Sequence, residues 1–206
     1  LMTPEFSPPP SGQPPIPVMI AAVGPDMMRL AGRVCDGVRL HGFCTRRYLE
    51  EVALPNVQAG LERAGRSRES FQVWGGGFVA TGPDADTVRQ QMEWVRYRLA
   101  FYGSTRTYSP VLDLHGWHDL SEKLHRMSKE GRWQEMSREV PDEVVHEFAA
   151  CATYRDLAPV MAKRFGGLSD AIAVGFPDGM PPGAMREVLQ DVQRVPSRFE
   201  GFPKSW

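Results

Sequence analysis

The sequence predicts an α/β fold with parallel strands, either a doubly wound sheet or part of a (β/α)8 barrel. Short apolar segments alternate with helical patterns four times along the chain. Most of the apolar segments are apolar at consecutive positions, which is typical of parallel strands that are buried on both faces. Because a helix separates each strand from the next, each connection crosses a sheet face and the strands run parallel. Four such units amount to half of a barrel.

The first predicted unit occupies residues 17–34. Residues 17–23 form the first predicted strand, and Gly24 ends it. Pro25 suits the first position of the helix that follows. The apolar side of this helix consists of Met28, Leu30, Ala31 and Val34.

The second and third units repeat this pattern. Residues 38–41 form the second predicted strand, and Thr45 is the predicted N-cap of a helix through Ala64. Pro55 kinks or restarts that helix. Residues 71–80, FQVWGGGFVA, form the third predicted strand.

The rest of the chain is less regular. Asp84 is the predicted N-cap of a helix over residues 85–101, and residues 102–150 then contain short helical patterns joined by glycine and proline. They predict a helical insertion into the scaffold. Beyond it, the sequence predicts a helix over 153–165, a fourth strand over 168–174, a closing helix over 181–195 and an irregular tail over 196–206.

Composition narrows the classes of partner and of location. The 206 residues carry a net charge of −1, which provides no basic field for nucleic acid or for a membrane surface. The three cysteines form no CxxC motif, which predicts a reducing, cytoplasmic environment and no zinc site. No apolar run approaches the roughly 20 residues of a membrane helix, and residues 1–20 lack the pattern of a signal peptide.

Several motifs in order resemble the luciferase-like monooxygenase family, and more narrowly its deazaflavin (coenzyme F420)-dependent oxidoreductase branch. They are PPIPVMIAAVGPDMMRLAGRVCDGVRLHGFCTRRYL, FVATGPDADTVRQQ, RLAFYGSTRTYSPVLDLHGWHDL and RFGGLSDAIAV. The resemblance covers about residues 6–174. It implies a (β/α)8 (TIM) barrel of which this chain is the C-terminal half, strands five to eight with a helical insertion.

The resemblance also explains the start of the chain. Residues 1–15 are a proline-rich arm that is predicted to be extended, and they correspond to the family's connection before strand five. Residues 16–195 correspond to the half barrel, with the insertion at about 102–150, and residues 196–206 to an irregular tail.

The resemblance implies a cofactor site after the first strand. It places Ile20 and Ala21 near the flavin-type ring, and Ala22, Val23 and Gly24 near the cofactor phosphate. Small residues let backbone N–H groups approach a phosphate, and the helix start adds its positive end. The alternative is a plain strand-to-helix turn. Asp26 departs from the pattern unless it points outward or caps the helix.

The second strand adds two candidates. His41 lies where the family often has an aromatic or polar ring near the cofactor, and it could stack on the ring edge or donate a hydrogen bond. The alternative is a histidine whose hydrogen bonds are local. Arg39 could approach a phosphate or pair with a carboxylate.

Two further motifs have structural alternatives that are favoured. Gly75–Gly77 could admit a planar ring, but a bulge in the strand is the slightly favoured interpretation. Asp113, His115, His118 and Asp119 fit no standard zinc spacing, so no metal is predicted and Trp117 is expected to anchor the insertion. The amphipathic pattern of residues 122–139 could also cover a substrate pocket.

The implied activity is hydride transfer between a reduced deazaflavin and a small organic substrate, with no catalytic acid or base identified. FMN with oxygen, as in a monooxygenase, is the alternative within the family. A different class of function is a truncated, inactive homologue that acts as a binding module, through self-association or by pairing with a missing N-terminal half.

Overall fold

The structure is a computed structural model, and it describes residues 13, 16–176 and 180–202. Apart from Gln13, the predicted proline-rich arm lies outside the described residues. The strands of the described part are β1 (Met19–Ala22), β2 (Gly37–Leu40), β3 (Gln72–Gly75), β4 (Phe78–Gly82) and β5 (Ala149–Thr153). Its α-helices are α1 (Pro25–Val34), α2 (Arg46–Tyr48), α3 (Leu54–Arg63), α4 (Ala85–Gly103), α5 (Ser109–Asp113), α6 (His118–Lys129), α7 (Asp142–Phe148), α8 (Leu157–Phe165) and α9 (Pro182–Val192).

All the strand pairs in this part of the chain are parallel, as predicted. One sheet has the order β1-β2-β3, and a second pairs β4 with β5. In the first sheet, Ala22, Leu40 and Gly75 lie side by side at the carboxyl ends of their strands. The residues that follow them therefore meet at one edge of the sheet.

The third predicted strand is wrong as a single element. Gly75 and Gly76 have φ angles of 94° and 95°, a region that favours glycine, and they divide residues 71–80 into β3 and β4. A β-carbon at Gly76 would lie 2.7 Å from the Leu49 side chain. The glycine run thus breaks the strand and transfers the chain from one sheet to the other.

Strand β5 was not predicted. Residues 149–153 pair with β4 in the register Phe78↔Ala149 to Gly82↔Thr153. The segment AACAT is rich in alanine, which is depleted in strands, and it directly follows a helical pattern. The last two residues of the predicted insertion, Ala149 and Ala150, therefore belong to a strand.

The fourth predicted strand, residues 168–174, is also wrong as an extended strand. Within the described residues it forms one parallel bridge, Trp74↔Ala171. Ala171 O accepts from Gly75 N at 2.9 Å, and Val73 O accepts from Asp170 N at 2.7 Å. The pairing stops because β3 turns away at Gly75.

The helix predicted over 153–165 begins only at Leu157, because Thr153 belongs to β5, whereas two other helices start where predicted. Thr45 Oγ1 accepts from Tyr48 N at 3.1 Å, and Asp84 Oδ1 accepts from Thr87 N at 2.7 Å, so both predicted N-caps are confirmed. The Pro55 helix restarts after a π-helical turn, Leu49–Ala53. A proline removes one N–H donor, and such a turn accommodates the break.

One face of the first sheet is covered and the opposite face is open. Val38 and Val73 are completely buried in the core, where α1 packs on β1, β2 and α3. On the opposite face, Ala21 and Arg39 are exposed and Trp74 is half-buried. The insertion joins the same core through Val111, Leu112, Leu124, Met127, Met136, Val145 and Phe148. Among the described helices, none is both long and apolar enough to span a bilayer.

Candidate functional site

The predicted cofactor residues lie at the carboxyl edge of the first sheet. Ala22, Val23 and His41 line one small cavity of about 20 Å³, next to residues of the insertion. Ala21 points to the open face, and the Ile20 side chain packs against the core. The structure therefore brings three of the six predicted residues around one space, with Gly24 directly after them.

Gly24 leaves the start of α1 uncovered. It is the N-cap residue, and the cap carries no side-chain hydrogen bond to the N–H groups of the first turn. A β-carbon at Gly24 would meet nothing within 4 Å, and its φ of −100° and ψ of 162° suit any residue. Neither packing nor conformation of the described protein requires glycine here, so the bare helix start fits an anionic group such as a phosphate.

Asp26 does not oppose an anion at this position. Its side chain is 95% exposed and forms an ion pair with Arg29 on the outer side of α1. Arg29 also donates to Asn56 on α3. The predicted departure from the family pattern is thus resolved by an outward orientation.

His41 is held as a neutral hydrogen-bond donor. Phe43 N donates to its Nδ1 at 3.0 Å, which requires an unprotonated Nδ1 and leaves the ring proton on Nε2. The ring lies 4.4 Å from that of Tyr102 and 4.9 Å from that of Tyr108, between centroids. Burial, and then the nearby Arg98, lower the pKa of His41 below its ordinary value.

We expect acid to destabilise the protein in part through His41. The unfolded chain protonates this imidazole near pH 6.5, whereas the folded site does so at lower pH. The stability that the neutral ring contributes is therefore complete above pH 6.5 and is lost as the pH falls through the lower, folded pKa. Burial also lowers the pKa of His115, so the two rings share the effect.

The variant His41→Asn isolates the share of His41. An asparagine oxygen can still accept from Phe43 N but does not titrate. Urea unfolding between pH 7 and pH 5 should show that the variant loses less unfolding free energy than the wild type. The difference should be below about 1.4 kcal/mol per pH unit, the effect of one bound proton. The same loss in both proteins would contradict the assignment.

A larger cleft, of about 720 Å³, lies beside His41 on the open face. Arg39 and Trp74 of the sheet, Trp94 and Arg98 of α4, and Phe176 are among its lining residues. The sequence pointed to Arg39 but missed Trp94, Arg98, Tyr102 and Tyr108. For Trp94 and Tyr102 the signal was an aromatic residue on α4 beyond its apolar side, and the two are exposed and half-buried here. Arg98 and Tyr108 had no such signal.

The glycine run ends β3 before β4 begins in the other sheet, whereas the slightly favoured interpretation was a bulge within one strand. A β-carbon at Gly77 would lie 2.8 Å from the Phe165 ring and 2.9 Å from Arg164 Nη2. At Gly75 it would collide with the Leu40 carbonyl. Gly75 and Gly77 still line the larger cleft, so the break also leaves backbone at the site.

Of the two histidines in the 113–119 motif, His118 bonds within the insertion and His115 bonds to Thr45 outside it. His115 Nε2 lies 2.8 Å from Thr45 Oγ1 and its ring stacks on Trp117, while His118 Nδ1 lies 3.1 Å from Asp113 Oδ1. Trp117 packs against the core, as predicted. Among the described residues, no group of three or more histidine, cysteine or acidic side chains could hold a metal ion.

The cysteine beside the small cavity is not a nucleophile at neutral pH. Burial raises the pKa of Cys44 to about 12. The groups that the site does offer are the N–H groups at the start of α1, the Nε2 proton of His41 and the two cleft guanidinium groups. They suit the binding of an organic anion with a planar part.

The chain is similar to several known proteins. A family model described as Luciferase-like monooxygenase matches residues 1–167. The chain is 40% identical over 194 residues to an uncharacterised protein of Mycobacterium tuberculosis, covering 94% of this chain and 57% of that protein. It is 31% identical over 175 residues to 5,10-methylenetetrahydromethanopterin reductase of Archaeoglobus fulgidus, covering 82% and 49%.

Solved structures show a similar fold. The coenzyme F420 dependent tetrahydromethanopterin reductase from Methanopyrus kandleri matches with a TM-score of 0.66 and 19% identity, over 88% of this chain and 50% of that one. An F420-dependent secondary alcohol dehydrogenase in complex with an F420-acetone adduct matches with a TM-score of 0.55 and 20% identity, over 86% and 49%. The chain thus spans about half the length of the relatives it matches.

Proposed function

Because the chain belongs to the luciferase-like monooxygenase family, we propose that it forms the coenzyme F420 site of an oxidoreductase. The observation that carries this proposal is the uncovered start of α1 at Gly24, beside Ala22, Val23 and the donor His41. Two relatives whose names include an F420-dependent activity are similar to this chain over nearly half of it or more. The proposed reaction is hydride transfer to or from a small organic substrate.

The proposed architecture is the C-terminal half of a (β/α)8 barrel, strands five to eight. Strands β1, β2 and β3 are neighbours in chain order. Ala171 pairs with Trp74 of β3, while β4 and β5, which lie between them in the chain, pair with each other in the second sheet. Consecutive neighbours suit a barrel, since a doubly wound sheet reverses its strand order. The open face with Arg39 and Trp74 would then face the barrel interior.

Three of the six predicted residues have a proposed role in binding. The N–H groups at the start of α1 receive the cofactor phosphate, and Gly24 lets it approach them. His41 donates from Nε2 to the polar edge of the ring, while Ala21 leaves space on the open face. Bound deazaflavin would supply the carbon that carries the hydride, and the protein would supply orientation and electrostatics.

The test is a binding titration of the purified chain with coenzyme F420 and, separately, with FMN, followed by cofactor fluorescence. We expect F420 to bind in about the micromolar range and FMN to bind more weakly. If FMN binds more tightly than F420, the proposed cofactor changes from the deazaflavin to the flavin of a monooxygenase. Binding of neither would contradict the proposed function.

A second candidate is a binding module that acts through association. The exposed Ala21 and Arg39 leave one face of a parallel sheet uncovered, whereas such sheets are normally buried on both faces. A second copy or an N-terminal half would cover it. A dimeric mass in solution together with no cofactor binding would favour this candidate, and a monomeric mass with F420 binding would exclude it.

A further inference from the structure

The larger cleft on the open face is positively charged. Among its described lining residues, the side chains that can carry charge are Arg39, Arg98 and His41, and none is a carboxylate. Its volume of about 720 Å³ is that of a small-molecule site. The charge is therefore directed toward a space large enough for an organic ligand.

Both arginines are held in place by aromatic rings. The Arg39 guanidinium carbon lies 4.2 Å from the Trp74 ring centroid. That of Arg98 lies 4.8 Å from the Trp94 centroid and 5.7 Å from that of Tyr102. Stacking fixes the plane of a guanidinium and leaves its N–H edge available for an oxyanion.

Among the described residues, neither cleft arginine has an acidic partner. Arg98 Nε is buried and has no hydrogen-bond partner among them. Arg96, two positions away on α4, shows the contrasting arrangement. It binds Glu93 at 3.0 Å, Asp142 and the carbonyl of Val140. The guanidinium of Arg96 is thus used in structural hydrogen bonds, whereas the same group of Arg98, on the same helix, is not used so within the described part of the chain.

The walls of the cleft are apolar and aromatic. Trp74, Phe78, Trp94 and Phe176 line the cleft with the two arginines, and the Phe78 and Trp94 rings contact each other edge to face at 6.3 Å. Such walls suit a planar or apolar body, and the arginines suit an acidic group attached to it.

We propose that this cleft binds a substrate with an acidic group, carboxylate or phosphate, on a planar or apolar body, and that Arg39 and Arg98 hold that group. The assignment of the ligand as substrate rests on the proposed function, since the cofactor would occupy the neighbouring rim at Ala22–Gly24. The acidic group could otherwise belong to the cofactor, so the test separates the two sources.

The test uses phenyl phosphate and the neutral phenol as probes, by calorimetry on the full chain at about 0.15 M salt, which screens weak long-range attraction. We expect phenyl phosphate to bind at least about tenfold more tightly than phenol. Arg39→Gln and Arg98→Gln should each weaken phenyl phosphate about tenfold and leave phenol unchanged. Arg126→Gln, an exposed position on α6, is the matched control and should have no effect.

The proposal would be overturned if the two probes bound with equal affinity or if neither bound. It would also be overturned if Arg126→Gln weakened phenyl phosphate as much as the cleft variants do. Phenyl phosphate should still bind when the chain is saturated with coenzyme F420, and its displacement would assign the cleft to the cofactor and overturn the substrate assignment. The probes are first measured without cofactor. A chain that binds phenyl phosphate through both arginines but never binds F420 or FMN would contradict the proposed function while leaving the anion site in place.

Discussion

Replacement of Gly24 by aspartate is expected to weaken coenzyme F420 binding by about 100-fold or more, which corresponds to about 2.8 kcal/mol. The new carboxylate would stand where the proposed site receives the phosphate, and opposed like charges cost several kcal/mol. It would also accept hydrogen bonds from the first-turn N–H groups that the phosphate needs.

The fold should tolerate this substitution. A β-carbon at Gly24 meets nothing within 4 Å, and the backbone is extended. Aspartate is a favoured N-cap residue and its charge suits a helix start, so the unfolding free energy should stay equal or rise slightly. Fluorescence titration and urea unfolding of the same preparation measure both quantities.

The matched control is Gly183→Asp. Gly183 is exposed in the first turn of α9, and a β-carbon there also meets nothing within 4 Å. The variant adds the same charge to another helix start and should bind F420 like the wild type. Equal effects of both substitutions would indicate a general charge effect, and no effect of either would remove Gly24 from the site.

Replacement of Asp170 by alanine is expected to lower the unfolding free energy by about 3–5 kcal/mol. The Asp170 side chain is completely buried, and its Oδ2 accepts from Arg68 Nη2 at 2.8 Å and from Val73 N at 2.7 Å. Its Oδ1 accepts from Ser197, Arg198 and Phe199 of the tail. The variant leaves a buried guanidinium at Arg68 without its carboxylate and several N–H groups without an acceptor.

The substitution should also disturb the wall of the larger cleft. Asp170 fixes the segment that supplies Ala173, Gly175 and Phe176 to its wall. Urea unfolding measures the stability, with Asp191→Ala as the control, because the exposed pair Asp191–Arg194 should contribute less than about 1 kcal/mol. A loss at Asp170 no larger than at Asp191 would contradict the structural role given to this carboxylate.

The sequence was sufficient for features that depend on local chemistry. Thr45 and Asp84 cap their helices because a side-chain oxygen near the first turn acts within a few residues. The resemblance to the family, and not these local signals, named Ala22, Val23 and His41 together. In the structure these three residues line one small cavity.

Features that depend on distant partners were missed. Strand β5 has an alanine-rich sequence, and its pairing with β4 outweighs its weak strand preference. The residues 168–174 look like a strand, but β3 turns away at Gly75 and leaves one bridge. Arg98 lines the cleft and Tyr102 contacts the His41 ring because α4 packs beside the sheet edge, which the spacing on one helix does not specify.

The most direct test of the central claim is an amide NMR titration of the chain with coenzyme F420. The account predicts that the largest shifts fall on Ala22, Val23, Gly24 and His41, and that they saturate together as one site. Saturable shifts confined to other parts of the chain, with these four amides unchanged, would contradict it.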